Sequence, residues 1–96
     1  MELNIKINKN QYGSRFAVAG IVTLFQFEPR NTIGPEWFFW PNGQSTPVIF
    51  HGEEFPMEYF VNLCKAKFFA DFGVDEYPDS VKIVQGKKHL KYDCKD

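Results

Sequence analysis

The amino-acid sequence predicts an α+β domain in which one amphipathic helix packs on one face of an antiparallel sheet of about five to six strands. Two observations support this fold class. Short segments with alternating apolar and polar residues, typical of half-buried strands, flank a single stretch with helical spacing. The chain of 96 residues also contains no internal repeat and no linker. We therefore expect one domain that spans residues 1–96.

The first third of the chain predicts two strands. Leu3, Ile5 and Ile7 alternate with polar residues, which indicates a half-buried strand before a turn at residues 9–14. Residues 16–27 are almost all apolar or small, and this favours one long central strand with apolar groups on both faces. Within that strand, Gly20 is expected to mark a bend, a bulge or a close approach of the backbone.

A run of consecutive aromatic residues, Trp37-Phe38-Phe39-Trp40, follows a predicted loop at residues 28–36. A strand directs successive side chains to opposite faces, so Trp37 and Phe39 should share one face, and Phe38 and Trp40 the other. One pair is expected to contact the helix. The other pair is either covered by the preceding loop or is a binding surface.

The rest of the chain predicts a hairpin, the helix and a second hairpin. Asn42-Gly43 indicates a turn between the aromatic strand and a strand at residues 47–51. Residues 53–72 predict the helix, and Gly73 suits the position just past its end. A second hairpin is expected at residues 81–93. The predicted apolar stripe of the helix consists of Met57, Phe60, Val61, Cys64, Phe68 and Phe72.

Composition and charge narrow the possible classes of protein. The chain is 44% hydrophobic and 18% aromatic, which indicates a folded domain rather than a disordered one. A net charge of −1 gives no global attraction to nucleic acid or to an anionic membrane. No apolar run approaches the about 20 residues needed to cross a bilayer. We expect a cytoplasmic protein, and pairing between its two cysteines, Cys64 and Cys94, is left open.

The sequence does not predict an enzyme, a cofactor or a metal site. His51 stands beside Glu53 and Glu54, the residue types of an acid–base pair, but we interpret them as the end of a strand and the start of a helix. Cys64 lies in the apolar stripe of the helix, whereas a reactive thiol needs an exposed and electropositive setting. We therefore interpret it as a core residue.

The leading functional hypothesis is a small, non-enzymatic module that binds another protein and blocks it sterically. Interface cores are enriched in Trp, Phe and Arg, and this chain has an excess of aromatic residues. Inhibitors, immunity proteins and antagonists encoded by phages or mobile elements are often of this size. We expect Trp37, Trp40 and Phe69 to act as anchors, and Arg30 and Glu36 to act as rim contacts.

Each of two alternative hypotheses assigns binding to its own set of residues. A nucleic-acid-binding module would use the basic residues of the C-terminal hairpin, which are Lys82, Lys87, Lys88, His89 and Lys91. A homo-oligomeric structural protein, a homodimer in its simplest form, would pair through the aromatic run or through a second helix strip. That strip consists of Tyr59, Leu63, Ala66 and Ala70.

Overall fold

A computed structural model describes residues 2–73 and 77–93, and its secondary structure is α+β, as predicted. In chain order, the elements of these residues are β1 (Glu2–Lys9), β2 (Arg15–Ala19), β3 (Val22–Asn31), β4 (Pro35–Trp40), β5 (Val48–His51), α1 (Met57–Phe72), β6 (Ser80–Gln85) and β7 (Lys88–Asp93). The strands form one sheet in the order β5-β4-β3-β2-β1-β6-β7. The sheet curls into a half-barrel. We call the face that carries α1 the concave face and the opposite one the outer face.

The sheet is mixed and has seven strands in the described residues, so the prediction of five to six antiparallel strands was wrong in this respect. β1 and β6 run parallel, with Leu3 opposite Val81 and Ile5 opposite Ile83. Strand alternation is the same in parallel and antiparallel pairs. The direction of β6 depends instead on the connection through α1, which carries the chain from the β5 edge to the far side of β1.

The extra strand comes from residues 16–27, which we had predicted to be one strand. They divide into β2 and β3 at a tight turn, where Gly20 has a φ of 64° and Ile21 is 99% exposed. Because Ile21 is apolar, the apolar run continues through the turn. The sequence pattern therefore did not indicate that two strands are present. The predicted loop at residues 28–36 was also largely wrong, since β3 extends to Asn31 and β4 begins at Pro35.

The helix begins at Met57 rather than at residue 53. Pro56 is its N-cap, and a proline disfavours helical backbone in the residue before it, so residues 53–55 stay outside. The predicted C-cap is confirmed. Gly73 has left-handed backbone, with φ of 59°, and its N–H donates to the Phe69 carbonyl at 3.1 Å. Within residues 2–73 and 77–93, α1 is the one helix, and it is not long and apolar enough to cross a bilayer.

The core lies between the concave face and α1 and consists largely of aromatic rings. Phe27, Phe39 and Phe60 are fully buried. The Phe27 and Phe39 rings stack with centroids 5.6 Å apart, and Phe60 meets the edge of Phe27 at 5.3 Å. The predicted stripe of α1 supplies the helix side of this core, where Phe60, Val61, Cys64 and Phe68 are buried. Of the two aromatic pairs in β4, Trp37 and Phe39 therefore face the helix.

Candidate functional site

The other aromatic pair of β4, Phe38 and Trp40, lies on the outer face. Their ring centroids are 6.1 Å apart, and α1 covers only the opposite face. The solvent side of such a sheet normally carries polar residues. Phe38 is nevertheless 8% exposed and Trp40 is half-buried, so something other than a helix shields them.

The side chain of Arg30 lies over both rings. Its guanidinium carbon lies 4.6 Å from the Phe38 ring centroid and 5.4 Å from that of Trp40. Both distances suit a cation–π interaction, worth about 0.5–1 kcal/mol each at an exposed site. The β3–β4 register places Arg30 opposite Glu36, so Phe38 is its diagonal neighbour and within reach of a long side chain.

Arg30 is held in this position by a second set of contacts, which centres on Glu28 of β3. Its Nε donates to Oε2 of Glu28 at 2.9 Å. The other oxygen of Glu28 accepts from Ser14 Oγ at 3.2 Å and from Gln26 Nε2 at 3.3 Å. The guanidinium is thus fixed over the two rings while its side chain remains 43% exposed. An exposed but pre-positioned cation loses little conformational freedom when a partner binds it.

Glu36, the other predicted rim residue, is buried and only 4% exposed, unlike Arg30. Its Oε1 accepts hydrogen bonds from the hydroxyl and the backbone N–H of Thr32, and its Oε2 lies 3.2 Å from His51 Nδ1. The Thr32 hydroxyl is the main cause that lowers the pKa of Glu36. Glu36 therefore orders the β3–β4 connection and presents little surface to a partner.

Sequence reasoning missed the contact between Glu36 and His51. It placed His51 next to Glu53 and Glu54, which are exposed neighbours in the chain. A two-residue turn at Asn42-Gly43 would have put Glu36 opposite Ile49. The longer connection between β4 and β5 puts it opposite His51 instead.

The hydroxyl of Thr32 provides a test of this network. We expect Thr32→Val to raise the pH at which acid unfolds the protein. A lowered carboxyl pKa stabilises the fold above the unfolded-state value, and this stability is lost as pH falls through the folded-state value. Without the hydroxyl, the pKa of Glu36 moves back up and the loss begins at higher pH. Circular dichroism during an acid titration measures the midpoint, with exposed Thr46→Val as control. Equal midpoints for the two variants would contradict the role of Thr32.

Exposed apolar side chains continue the aromatic surface. Ile49 on β5 lies directly opposite Phe38 and is 42% exposed. Ile33, at the tip of the β3–β4 connection, is 87% exposed. We define the outer patch as Arg30, Ile33, Phe38, Trp40 and Ile49. It combines an arginine, two aromatic rings and one aliphatic side chain on the face that α1 does not cover with Ile33 in the adjoining β3–β4 connection.

The predicted contact residues do not all belong to this patch. Trp37 lies on the concave side, where its ring centroid is 4.8 Å from that of Phe55, although it also reaches a shallow hollow of about 390 Å³ shared with Arg30 and Glu36. Phe69 lies apart on α1, 41% exposed and 5.7 Å from the Tyr77 ring. The structure thus joins Arg30 with Trp40 and leaves Phe69 on another surface.

The described residues contain no cluster of potential metal ligands, and their cysteine is buried. Within residues 2–73 and 77–93, no three His, Cys, Asp or Glu side chains cluster in a way that would hold a metal ion. Cys64 is a buried free thiol, and burial raises its pKa well above the ordinary value, the reverse of what a nucleophile requires. Its suggested partner Cys94 lies outside the described residues.

The basic residues of the nucleic-acid alternative do not share one surface. The strand pleat directs Lys82 and Lys91, which are opposite each other, to the outer face together with His89, whereas Lys88 lines a cleft on the concave side. Lys87 lies in the turn, and Lys91 Nζ is 3.5 Å from Glu2 Oε2.

The helix strip proposed for self-association is partly occupied by the core. Tyr59 and Leu63 pack against the core, whereas Ala66 and Ala70 are exposed. Both alternatives remain predictions.

No protein-family model, no curated protein and no solved structure matches this chain.

Proposed function

We propose that this chain is a non-enzymatic protein that binds another protein through the outer patch and blocks it sterically. The observation that carries the proposal is Arg30, which is held over Phe38 and Trp40 on a sheet face that α1 leaves open. Arginine and tryptophan are enriched among the residues that contribute most to binding between proteins. The rings need no partner to be ordered, so the surface is prepared before contact.

The contacts of Arg30 define the chemistry of the partner. Among the described residues, its guanidinium forms its hydrogen bond to Glu28 through Nε. An arginine side chain has five N–H donors, so the Nη groups are left to donate outward. We expect the partner to present a carboxylate or a row of carbonyl oxygens to Arg30. Its apolar side chains would cover Ile33 and Ile49, which are 87% and 42% exposed.

The rigidity of the patch supports a mechanism of occlusion. Four of its five residues lie on paired strands, with Arg30 on β3, Phe38 and Trp40 on β4 and Ile49 on β5. A sheet surface of this kind docks with little rearrangement, which lowers the entropy cost of binding. Exposed His51 and partly exposed Glu28 lie at its rim, where charges mainly affect the rate of encounter. The target is then inhibited because its own surface is covered.

Two matched substitutions test the proposal. Ile33 and Ile21 are both exposed isoleucines in turns at opposite ends of β3. The strand between them is about 30 Å long, from the rise per residue. We expect a tagged Ile33→Asp variant to lose the protein that the wild type captures from its native host, because a carboxylate would be buried against an apolar surface. The Ile21→Asp variant should retain it.

The comparison is quantitative when the captured proteins are measured by mass spectrometry. A partner retained by wild type and Ile21→Asp, but lost by Ile33→Asp, fits the outer patch. A partner retained equally by both variants would contradict it. Both substitutions lie in turns, and circular dichroism verifies that the fold is intact in each.

A further inference from the structure

A cleft of about 370 Å³ opens on the concave face, at the end of the sheet where α1 begins. Four aromatic rings contribute to its walls, those of Phe27, Trp37, Phe55 and Phe60. Aliphatic side chains from β1, β6 and β7 complete them. A cavity of about 150 Å³ accommodates benzene. The cleft is therefore large enough for a compact aromatic molecule of two fused rings.

The cleft exists because α1 covers only part of the concave face. Phe60 of α1 packs on Phe25 and Phe27 of β3, with ring centroids 5.6 and 5.3 Å apart. On the far side, Leu90 of β7 lies opposite Ile83 and is 47% exposed. The β6–β7 hairpin thus continues the apolar wall beyond the helix.

The polar side chains that line the cleft are neutral or basic. They are Arg15, Gln85 and Lys88, and no carboxylate of the described residues is among the lining groups. The Nη1 atom of Arg15 is buried, and no acceptor in residues 2–73 or 77–93 hydrogen-bonds to it. Its guanidinium carbon is 5.7 Å from the Trp37 ring centroid.

A buried guanidinium nitrogen without an acceptor is unfavourable, because it has lost its hydration without gaining a hydrogen bond. A carboxylate is the group that best satisfies it, through paired charge-assisted hydrogen bonds. Lys88 on the same wall adds a second positive charge. The electrostatics of the cleft and its aromatic walls are therefore complementary to an apolar, flat molecule with one anionic group.

We infer that this cleft binds a small aromatic carboxylate, with its rings between the aromatic walls and its carboxylate on Arg15. The site lies on the face of the sheet opposite to the outer patch. It is independent of the proposed protein interface, and either site can exist without the other.

Isothermal titration calorimetry with 2-naphthoate and its neutral analogue 2-naphthalenemethanol tests the inference. Wild type should bind 2-naphthoate saturably. Arg15→Met should weaken that binding by about 10-fold or more, the effect of losing hydrogen bonds to a charged group. Its affinity for the neutral alcohol should change less than about 3-fold. The control Arg30→Met removes an arginine that also lies on aromatic rings, but on the outer face, and should leave both affinities unchanged.

The inference is overturned if wild type shows no saturable binding of 2-naphthoate, or if Arg15→Met affects the two probes equally. A loss with Arg30→Met as large as with Arg15→Met would also contradict it. If Arg15→Met does not fold, Leu90→Asp takes its place, with exposed Ile21→Asp as its control. A carboxylate at position 90 should repel 2-naphthoate and weaken its binding about 10-fold, and an unchanged affinity would overturn the inference.

Discussion

Replacing Phe39 with alanine is expected to lower the free energy of unfolding by about 3–5 kcal/mol. The ring is fully buried and stacks on Phe27 with an interplanar angle of 11°. It also meets Phe50 at 5.6 Å and Tyr59 at 5.1 Å. Truncation therefore removes the centre of the aromatic core and leaves a cavity that stacked neighbours cannot easily fill.

Urea denaturation followed by circular dichroism measures this loss. A domain of this size has only about 5–15 kcal/mol of stability, so Phe39→Ala removes a large share of it. Phe69→Ala is the matched control, because the same substitution at a 41% exposed position should cost about 1 kcal/mol or less. Equal losses at the two positions would mean that Phe39 is not at the centre of the core.

Replacing Trp40 with alanine is expected to weaken binding of the captured partner by about 2 kcal/mol or more, which is about 30-fold in Kd. Trp40 is half-buried on the outer face, beneath the guanidinium of Arg30. Its removal takes away a large apolar contact. It also removes one of the two rings that fix the arginine in position, so part of the loss comes from disorder in Arg30.

Surface plasmon resonance with the purified partner gives the two affinities. Phe69→Ala serves again as control, since Phe69 lies on α1, away from the outer patch, and should bind like wild type. If Phe69→Ala weakens binding and Trp40→Ala does not, the interface is on the helix and the outer patch is the wrong surface.

Several elements could be predicted because local residue patterns decide them. The end of α1 follows from Gly73, whose left-handed backbone satisfies the carbonyl of Phe69. The two terminal strands of the β6–β7 hairpin follow from alternation around Gly86. The parallel pairing of β1 with β6 was not predictable in this way, because it depends on where α1 crosses the sheet.

The outer patch shows the same division between local and non-local information. Strand alternation alone separates Phe38 and Trp40 from Trp37 and Phe39. It does not say which pair faces the helix, because both pairs are equally apolar. The position of Arg30 depends on β3 extending past the predicted strand end at residue 27, and on the β3–β4 register. The contact of Glu36 with His51 depends in turn on the length of the β4–β5 connection.

The most direct test of the protein-binding proposal is hydroxyl-radical footprinting of the two tryptophans, in the free protein and in the complex. Trp40 and Trp37 belong to the same strand, but they lie on opposite faces of the sheet. We expect oxidation of Trp40 to fall in the complex by more than oxidation of Trp37, which lies mainly on the concave side. Unchanged oxidation of Trp40, with protection of Phe69 and Phe72 on α1 instead, would contradict the proposal.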